Sequence, residues 1–140
     1  MNDETLDHLR IAEANRVLAL ALLHAAAGSV RPRRWEWTGV VAFYAAVHYV
    51  NAYLWEIKQF APANHAERRR FFNSDIVLYP VRESYEFLEG YGYEARYDVR
   101  FEATEADTRD LVDIDLRAVE AAVSRALGLS VPTWELPDFG

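Results

Sequence analysis

The chain contains no cysteine, and this absence removes several kinds of site at once. Without a thiol there is no disulfide, no thiolate nucleophile and no cysteine-ligated zinc or iron–sulfur centre. We therefore do not expect a secreted protein of the type that disulfides hold together.

Lysine and long apolar runs are also scarce. Lys58 is the one lysine among 15 basic residues, which reflects either genome composition or a need for bidentate contacts with anions. No segment reaches the roughly 18 uninterrupted apolar residues of a membrane span. The first residues are acidic and polar, unlike a signal peptide. We expect a cytoplasmic protein without a membrane partner.

Charge and length limit the remaining classes. A formal net charge of −7 argues against nucleic-acid binding by the whole surface, which usually needs a basic footprint. Basic residues nevertheless concentrate at 31–34 and 68–70, so local basic patches are possible. The 140 residues, of which 51% are hydrophobic, suit one globular domain. We assign residues 1–128 to that domain and 129–140 to a C-terminal tail.

The first half of the chain predicts two long helices. The first begins with Thr5 as its N-cap and runs to about Ala27, with Gly28 as its stop. Helical spacing of apolar residues predicts its buried face: Ile11, Ala14, Leu18, Ala21, Leu22 and Ala25. The second helix spans residues 35–60 and ends before Pro62. Because it is apolar almost all round, we expect it at the centre of the fold.

Three shorter helices follow. Asn64 and Glu67 have the spacing of a capping box, which predicts a helix over 65–73. A fourth helix spans about 80–88, and Gly90 and Gly92 leave its end open. The last begins at Thr104 and ends at Gly128, with an apolar series at helical spacing: Val112, Leu116, Val119, Val123 and Leu127. Sustained period-2 alternation is absent, so the sequence predicts an all-α, up-and-down bundle of about five helices.

One polar stripe interrupts the second helix. Tyr44, His48, Asn51 and Trp55 follow i, i+4, i+7 and i+11 spacing, so they share one helix face. An unpaired buried imidazole or amide costs about 1–3 kcal/mol, so this face needs hydrogen-bond partners. We expect either a structural network or a binding site there.

The other candidate site residues lie after the second helix. His65 lies in the first turn of a predicted helix, where anions bind, and Arg69 follows one turn later, so the two could hold a phosphate. Arg96 and Tyr97 complete the candidate set. A purely structural interpretation also stays open, in which the arginines form a solvated face and His48 is a hydrogen-bonded core residue. Five tyrosines could stack on bases, or belong to the core or a dimer interface: Tyr79, Tyr85, Tyr91, Tyr93 and Tyr97. No motif for a metal or another cofactor is present.

Residues 43–54, Phe-Tyr-Ala-Ala-Val-His-Tyr-Val-Asn-Ala-Tyr-Leu, precede Pro62 and the run 64–68, Asn-His-Ala-Glu-Arg. The run 95–98, Ala-Arg-Tyr-Asp, comes later. With these motifs, most of the chain resembles small prokaryotic proteins with a HEPN-like fold. The resemblance implies an up-and-down bundle that commonly dimerises. It also implies a family associated with RNA cleavage, nucleotide binding, toxin–antitoxin pairs and phage defence.

The chain departs from the ribonucleases of that superfamily, which carry Arg, four residues, then His. The corresponding positions before His48 and His65 are Phe43 and Phe60, so we expect an atypical member. The leading hypothesis is a homodimer that binds an RNA or nucleotide phosphate, or a protein partner, in a cleft lined by the candidate residues: His48, Asn51, His65, Arg69, Arg96 and Tyr97. Binding is favoured over catalysis.

Two alternatives remain. One is a metal-independent endoribonuclease that uses His48 or His65 as its proton carrier, with Arg69 or Arg96 stabilising the transition state. The other is a structural module, such as the helical partner of a nucleotidyltransferase, whose aromatic surface covers a neighbour.

Overall fold

A computed structural model describes residues 1–25, 33–132 and 134. Every regular element in these ranges is helical, which confirms the predicted all-α bundle. The first four helices are α1 (Asp3–His24), α2 (Arg34–Lys58), α3 (His65–Ser74) and α4 (Arg82–Tyr97), the last of which follows a 3₁₀ turn at Tyr79–Val81. A fifth, continuous rod consists of α5 (Glu105–Asp110), a π-helical segment (Leu111–Leu116) and α6 (Arg117–Ala126).

Helix α2 is the centre of the bundle, as predicted. It packs against α1, α4 and the α5–α6 rod, and residues on several of its sides are fully buried, among them Phe43, Val50 and Leu54. It spans 34–58 rather than 35–60, because Gln59 adopts a left-handed conformation that ends the helix.

Helix α1 corrects two predictions. Its N-cap is Asn2, whose Oδ1 accepts from the Thr5 amide at 2.8 Å, while Thr5 itself is buried and donates to Glu56. The predicted buried face is also wrong, since Ile11 and Leu18 are 43% and 47% exposed. The core-facing residues are Thr5, Ala12, Arg16, Ala19, Leu20 and Leu23. The predicted end at Ala27 and Gly28 lies outside the described residues.

The predicted caps of the later helices are confirmed. Asn64 accepts from the Glu67 amide at 2.9 Å, and Thr104 accepts from the Asp107 amide at 3.1 Å. The apolar series of the last rod faces the core, with Val112, Leu116, Val119 and Val123 all fully buried. The π-helical segment within that rod was not predicted.

Helix α4 is longer than predicted because neither glycine ends it: Gly90 is an exposed position within the helix, and Gly92 is a packing residue. A Cβ on Gly92 would lie 3.0 Å from the Phe43 ring, so the absence of a side chain lets α4 approach α2 closely. Gly39 of α2 meets the Tyr91 ring in the same way. This close contact carries α4 on to Tyr97 and brings Arg96 beside α2.

Candidate functional site

The polar face of α2 lies at the surface rather than in the core. Tyr44 is 37% exposed, and His48, Asn51 and Trp55 are half-buried. The stripe does share one helix face, and α1, α3 and α4 approach it from its two sides and supply hydrogen-bond partners for His48, Asn51 and Tyr44. We call the resulting set the histidine–arginine cluster: His8, Tyr44, His48, Asn51, His65, Arg68 and Arg96.

Helix α1 contributes His8, which pairs with His48. The two Nδ1 atoms lie 3.0 Å apart, so one of them must carry a proton and the other must accept it. This bond cannot form when both rings are cationic. Burial lowers the pKa of both imidazoles, and for His48 the nearby His8 and Arg68 lower it further. The pair therefore favours neutral rings at physiological pH.

Helix α3 contributes His65 and Arg68, and Arg68 bonds both His65 and Asn51. Arg68 is only 5% exposed, and its Nε donates to Asn51 Oδ1 at 2.9 Å. Its Nη1 lies 2.8 Å from His65 Nδ1. Because a guanidinium has no acceptor, His65 Nδ1 accepts this bond and the ring keeps its proton on Nε2. Burial first, and then Arg68, lower the pKa of His65.

Helix α4 contributes Arg96 at the other edge of the cluster. Its Nη1 donates to the Tyr44 hydroxyl at 2.9 Å, and its Nε donates to the Gly92 carbonyl at 2.9 Å. The guanidinium lies over the Phe43 ring, 5.8 Å from its centroid, and the same ring lies 5.4 Å from that of His65. Arg96 and His65 thus flank one aromatic side chain.

The predicted site residues lie in different places relative to the cluster. His48, Asn51, His65 and Arg96 belong to the cluster. Tyr97 lies at its rim, 65% exposed, with its ring 5.1 Å from the Arg96 guanidinium.

The prediction that His65 and Arg69 together hold a phosphate stays a prediction, and the two side chains do not bond each other in the structure. Arg69 instead bonds Glu89 at 2.7 Å, and the neighbouring Arg68 bonds His65.

Sequence reasoning missed His8 and the role of Arg68. His8 lies 40 positions before His48, so nothing local connects them; only the antiparallel packing of α1 on α2 does. Arg68 stands at i+3 from His65, a spacing that permits contact on one helix face, but the same holds for Arg69 at i+4. The orientation of α3 against α2 decides between them.

The cluster can accept protons and bind anions. Neutral imidazoles are acceptors for a proton, and guanidiniums pair with phosphate oxygens in a forked geometry. Within the described ranges, no three histidine, aspartate or glutamate side chains gather closely enough to hold a metal ion. No helix in those ranges has the length and apolar character to cross a membrane.

No protein-family model, curated protein or solved structure matches this chain. The resemblance to HEPN-like proteins therefore stays a prediction that rests on the motifs around His48 and His65. What the cluster does has to be argued from its own geometry.

Proposed function

We propose that this protein binds RNA or a nucleotide through a phosphate group at the histidine–arginine cluster, as an atypical HEPN-like homodimer. The observation that carries this proposal is that the two arginines of the cluster have no ion pair with the described residues. Within the described part of the chain, no carboxylate forms an ion pair with Arg68 or Arg96. Their partners are an amide, a neutral imidazole, a phenol and a backbone carbonyl.

Such an arrangement favours an anionic ligand. A buried cation is costly unless an anion compensates it, and Arg68 is almost fully buried. Arg69, one residue along, shows the ordinary alternative, because it pairs with Glu89. A phosphate would form an ion pair with these guanidiniums and could accept hydrogen bonds from them and from imidazole N–H groups.

The test is binding of a labelled single-stranded RNA and of nucleoside monophosphates, measured by fluorescence anisotropy and calorimetry. Arg96→Ala removes a charge-assisted contact worth about 1.5–3 kcal/mol, so we expect the Kd to rise about 10- to 150-fold. The slope of log K against log salt should fall by about one.

The matched control is Arg70→Ala, which makes the same charge change at an exposed position of α3 outside the cluster and should bind nearly as well as the wild type. Equal weakening in both variants, or no binding by the folded wild type, contradicts the proposal.

A metal-independent endoribonuclease is the second candidate, and the neutral imidazoles favour it. One imidazole would take the proton of a ribose 2′-hydroxyl as that oxygen attacks phosphorus. The bond from phosphorus to the 5′-oxygen would break, and that oxygen would take the proton from the imidazole that had received it from the 2′-hydroxyl. Arg68 and Arg96 would stabilise the extra negative charge on the phosphorane.

The test of this candidate is cleavage of a mixed pool of labelled tRNA and single-stranded RNA, without added metal. His48→Ala and His65→Ala, each shown to be folded, should lose cleavage while retaining RNA binding. Binding without cleavage by the wild type would leave the binding function alone.

The homodimer is supported by an apolar strip beside the cluster. Helices α1 and α2 are antiparallel, since His8 meets His48 at one end and Arg34 donates to the Leu22 carbonyl at the other. Beyond the His8–His48 contact, Ile11 and Leu18 of α1 therefore follow the same side of the bundle as Trp37 of α2, and these three exposed side chains form the strip. Trp37 is 55% exposed, and a second copy could cover this strip.

Leu18→Glu should convert a dimer to a monomer in light scattering, whereas Ile114→Glu, an exposed position on the last rod, should not. A monomeric wild type contradicts this part of the proposal. Capture of a defined nucleotidyltransferase on the same strip would favour the structural alternative instead.

A further inference from the structure

A small cavity opens at the α1 edge of the histidine–arginine cluster. Its volume is about 200 Å³, and its lining consists of Glu4 and His8 from α1, Asn51 and Trp55 from α2, and Ala61 and Pro62 from the loop that follows. Asn51 and His8 belong to both the cavity and the cluster. A ligand whose phosphate lies on Arg68 could therefore extend a second group into the cavity.

The lining suits a flat, polar ring. Trp55 provides an aromatic surface, on which bases of nucleic acids stack. The cavity is smaller than the roughly 300–1,000 Å³ of sites for drug-sized molecules, so one ring system is an appropriate occupant. A nucleobase joined to a phosphate would place its ring and its charge on the two sides of Asn51.

The polar groups of the cavity define a hydrogen-bonding pattern. The Asn51 Oδ1 accepts from Arg68, and this leaves its Nδ2 group as a donor. The Glu4 carboxylate is an acceptor, with one oxygen 3.9 Å from His8 Nε2. An ionised carboxylate has two acceptor oxygens, so it matches a base edge that carries two adjacent N–H donors.

We propose that this cavity binds a guanine base, with Glu4 accepting from N1–H and the 2-amino group and Asn51 donating to an acceptor on the ring. This rests on the proposed phosphate-binding function and names its specificity. Adenine and cytosine each place a ring-nitrogen acceptor beside a single amino group, so their lone pair would face the carboxylate. Uracil offers one N–H between two carbonyl acceptors. A site that leaves such groups unpaired discriminates strongly between bases.

The experiment compares binding of GMP, AMP and inorganic phosphate by calorimetry. The wild type should bind GMP at least about tenfold more tightly than AMP, the factor expected for one well-formed hydrogen bond. Glu4→Gln should remove that preference and leave the affinities for AMP and phosphate unchanged. Asp7→Asn is the matched control, because Asp7 lies one turn further along α1, pairs with Arg10 outside the cavity and loses the same charge.

The outcomes separate this proposal from the proposed function. Equal affinity of the wild type for GMP and AMP, both weakened by Arg68→Met, overturns the guanine site and leaves phosphate binding intact. A preference for GMP that Glu4→Gln retains, or that Asp7→Asn loses, also overturns it. Failure of the wild type to bind GMP, AMP or phosphate overturns both.

Discussion

The two ends of α3 carry two polar networks that differ in charge balance. At its start, His65 and Arg68 join a cluster in which the guanidinium has neutral partners. At its end, Asp75 is 5% exposed and accepts from Tyr53, from the amides of Val77 and Leu78 and from Lys58. The second network is complete within the chain, whereas in the first the buried guanidinium has no ion pair among the described residues. This difference is the reason for treating the Asp75 network as structural and for proposing the cluster as the binding site.

The largest effect should come from breaking the complete network. Asp75→Ala leaves the Tyr53 hydroxyl and the amides of Val77 and Leu78 without their acceptor, and it leaves Lys58 without its ion pair. We expect the free energy of unfolding to fall by about 3–5 kcal/mol, measured by urea denaturation. Tyr53→Phe should lose only about 1–2 kcal/mol, since it removes one donor. A loss below about 1 kcal/mol for Asp75→Ala would contradict the structural role.

The corresponding change at the other end of α3 should affect binding more than stability. Arg68→Met replaces a buried cation by an apolar side chain of similar length, a change that is often close to neutral for folding. It leaves Asn51 and His65 without a donor, but both are partly open to water. We expect a loss of at most about 2 kcal/mol in unfolding free energy, together with loss of phosphate binding. Destabilisation as large as that of Asp75→Ala would remove the contrast between the two networks.

The networks should also respond to different ranges of pH. His8, His48 and His65 have lowered pKa values in the fold, chiefly through burial. Between the ordinary histidine pKa and these lower values, the unfolded chain therefore binds more protons than the folded chain. The contribution of these neutral histidines to the free energy of unfolding is present above about pH 6.5, and it is lost as the pH falls through their lowered pKa values. Unfolding free energies measured between pH 7.5 and 5 should therefore decrease, and His48→Gln should reduce that decrease more than His24→Gln does.

The acidic range belongs to Asp75. Burial acts to raise the pKa of this carboxyl, but hydrogen bonds from Leu78, Tyr53, Val77 and Lys58 outweigh it and hold the pKa below its usual value. This contribution to stability is present above about pH 4 and disappears as the pH falls through the lowered value. The Asp75→Ala variant should therefore lose less stability in this range than the wild type does. An equal loss in both proteins would mean that other carboxylates cause it, and it would contradict this assignment.

Local patterns explain which parts of this structure could be predicted. The caps at Asn64 and Thr104 depend on residues three apart, and the apolar series of the last rod depends on one helix, so both are visible in the sequence. The buried face of α1 is different. Ile11 and Leu18 have the same helical spacing as Ala12 and Ala19, and only the packing of α1 on α2 selects the second pair.

The site depends on the same kind of information. Arg68 and Arg69 differ by about 100° around α3, and that rotation separates a buried partner of His65 from an exposed partner of Glu89. The His8–His48 pair depends on the register of two helices, which no single helix pattern contains. The polar face of α2 was visible because all its members belong to one helix.

The smallest effect should come from the cap at the start of α3. Asn64→Ala removes the bond to the Glu67 amide, which costs about 1 kcal/mol of unfolding free energy in a typical helix. The cap holds the first turn, where His65 lies, and the ten residues of α3 separate it from Asp75. Fraying of that turn should weaken phosphate binding a few-fold while the Tyr53–Asp75 bond persists. Asn64→Ser, which can still cap, should restore both stability and affinity, and failure of that rescue would show that Asn64 acts through something other than its cap.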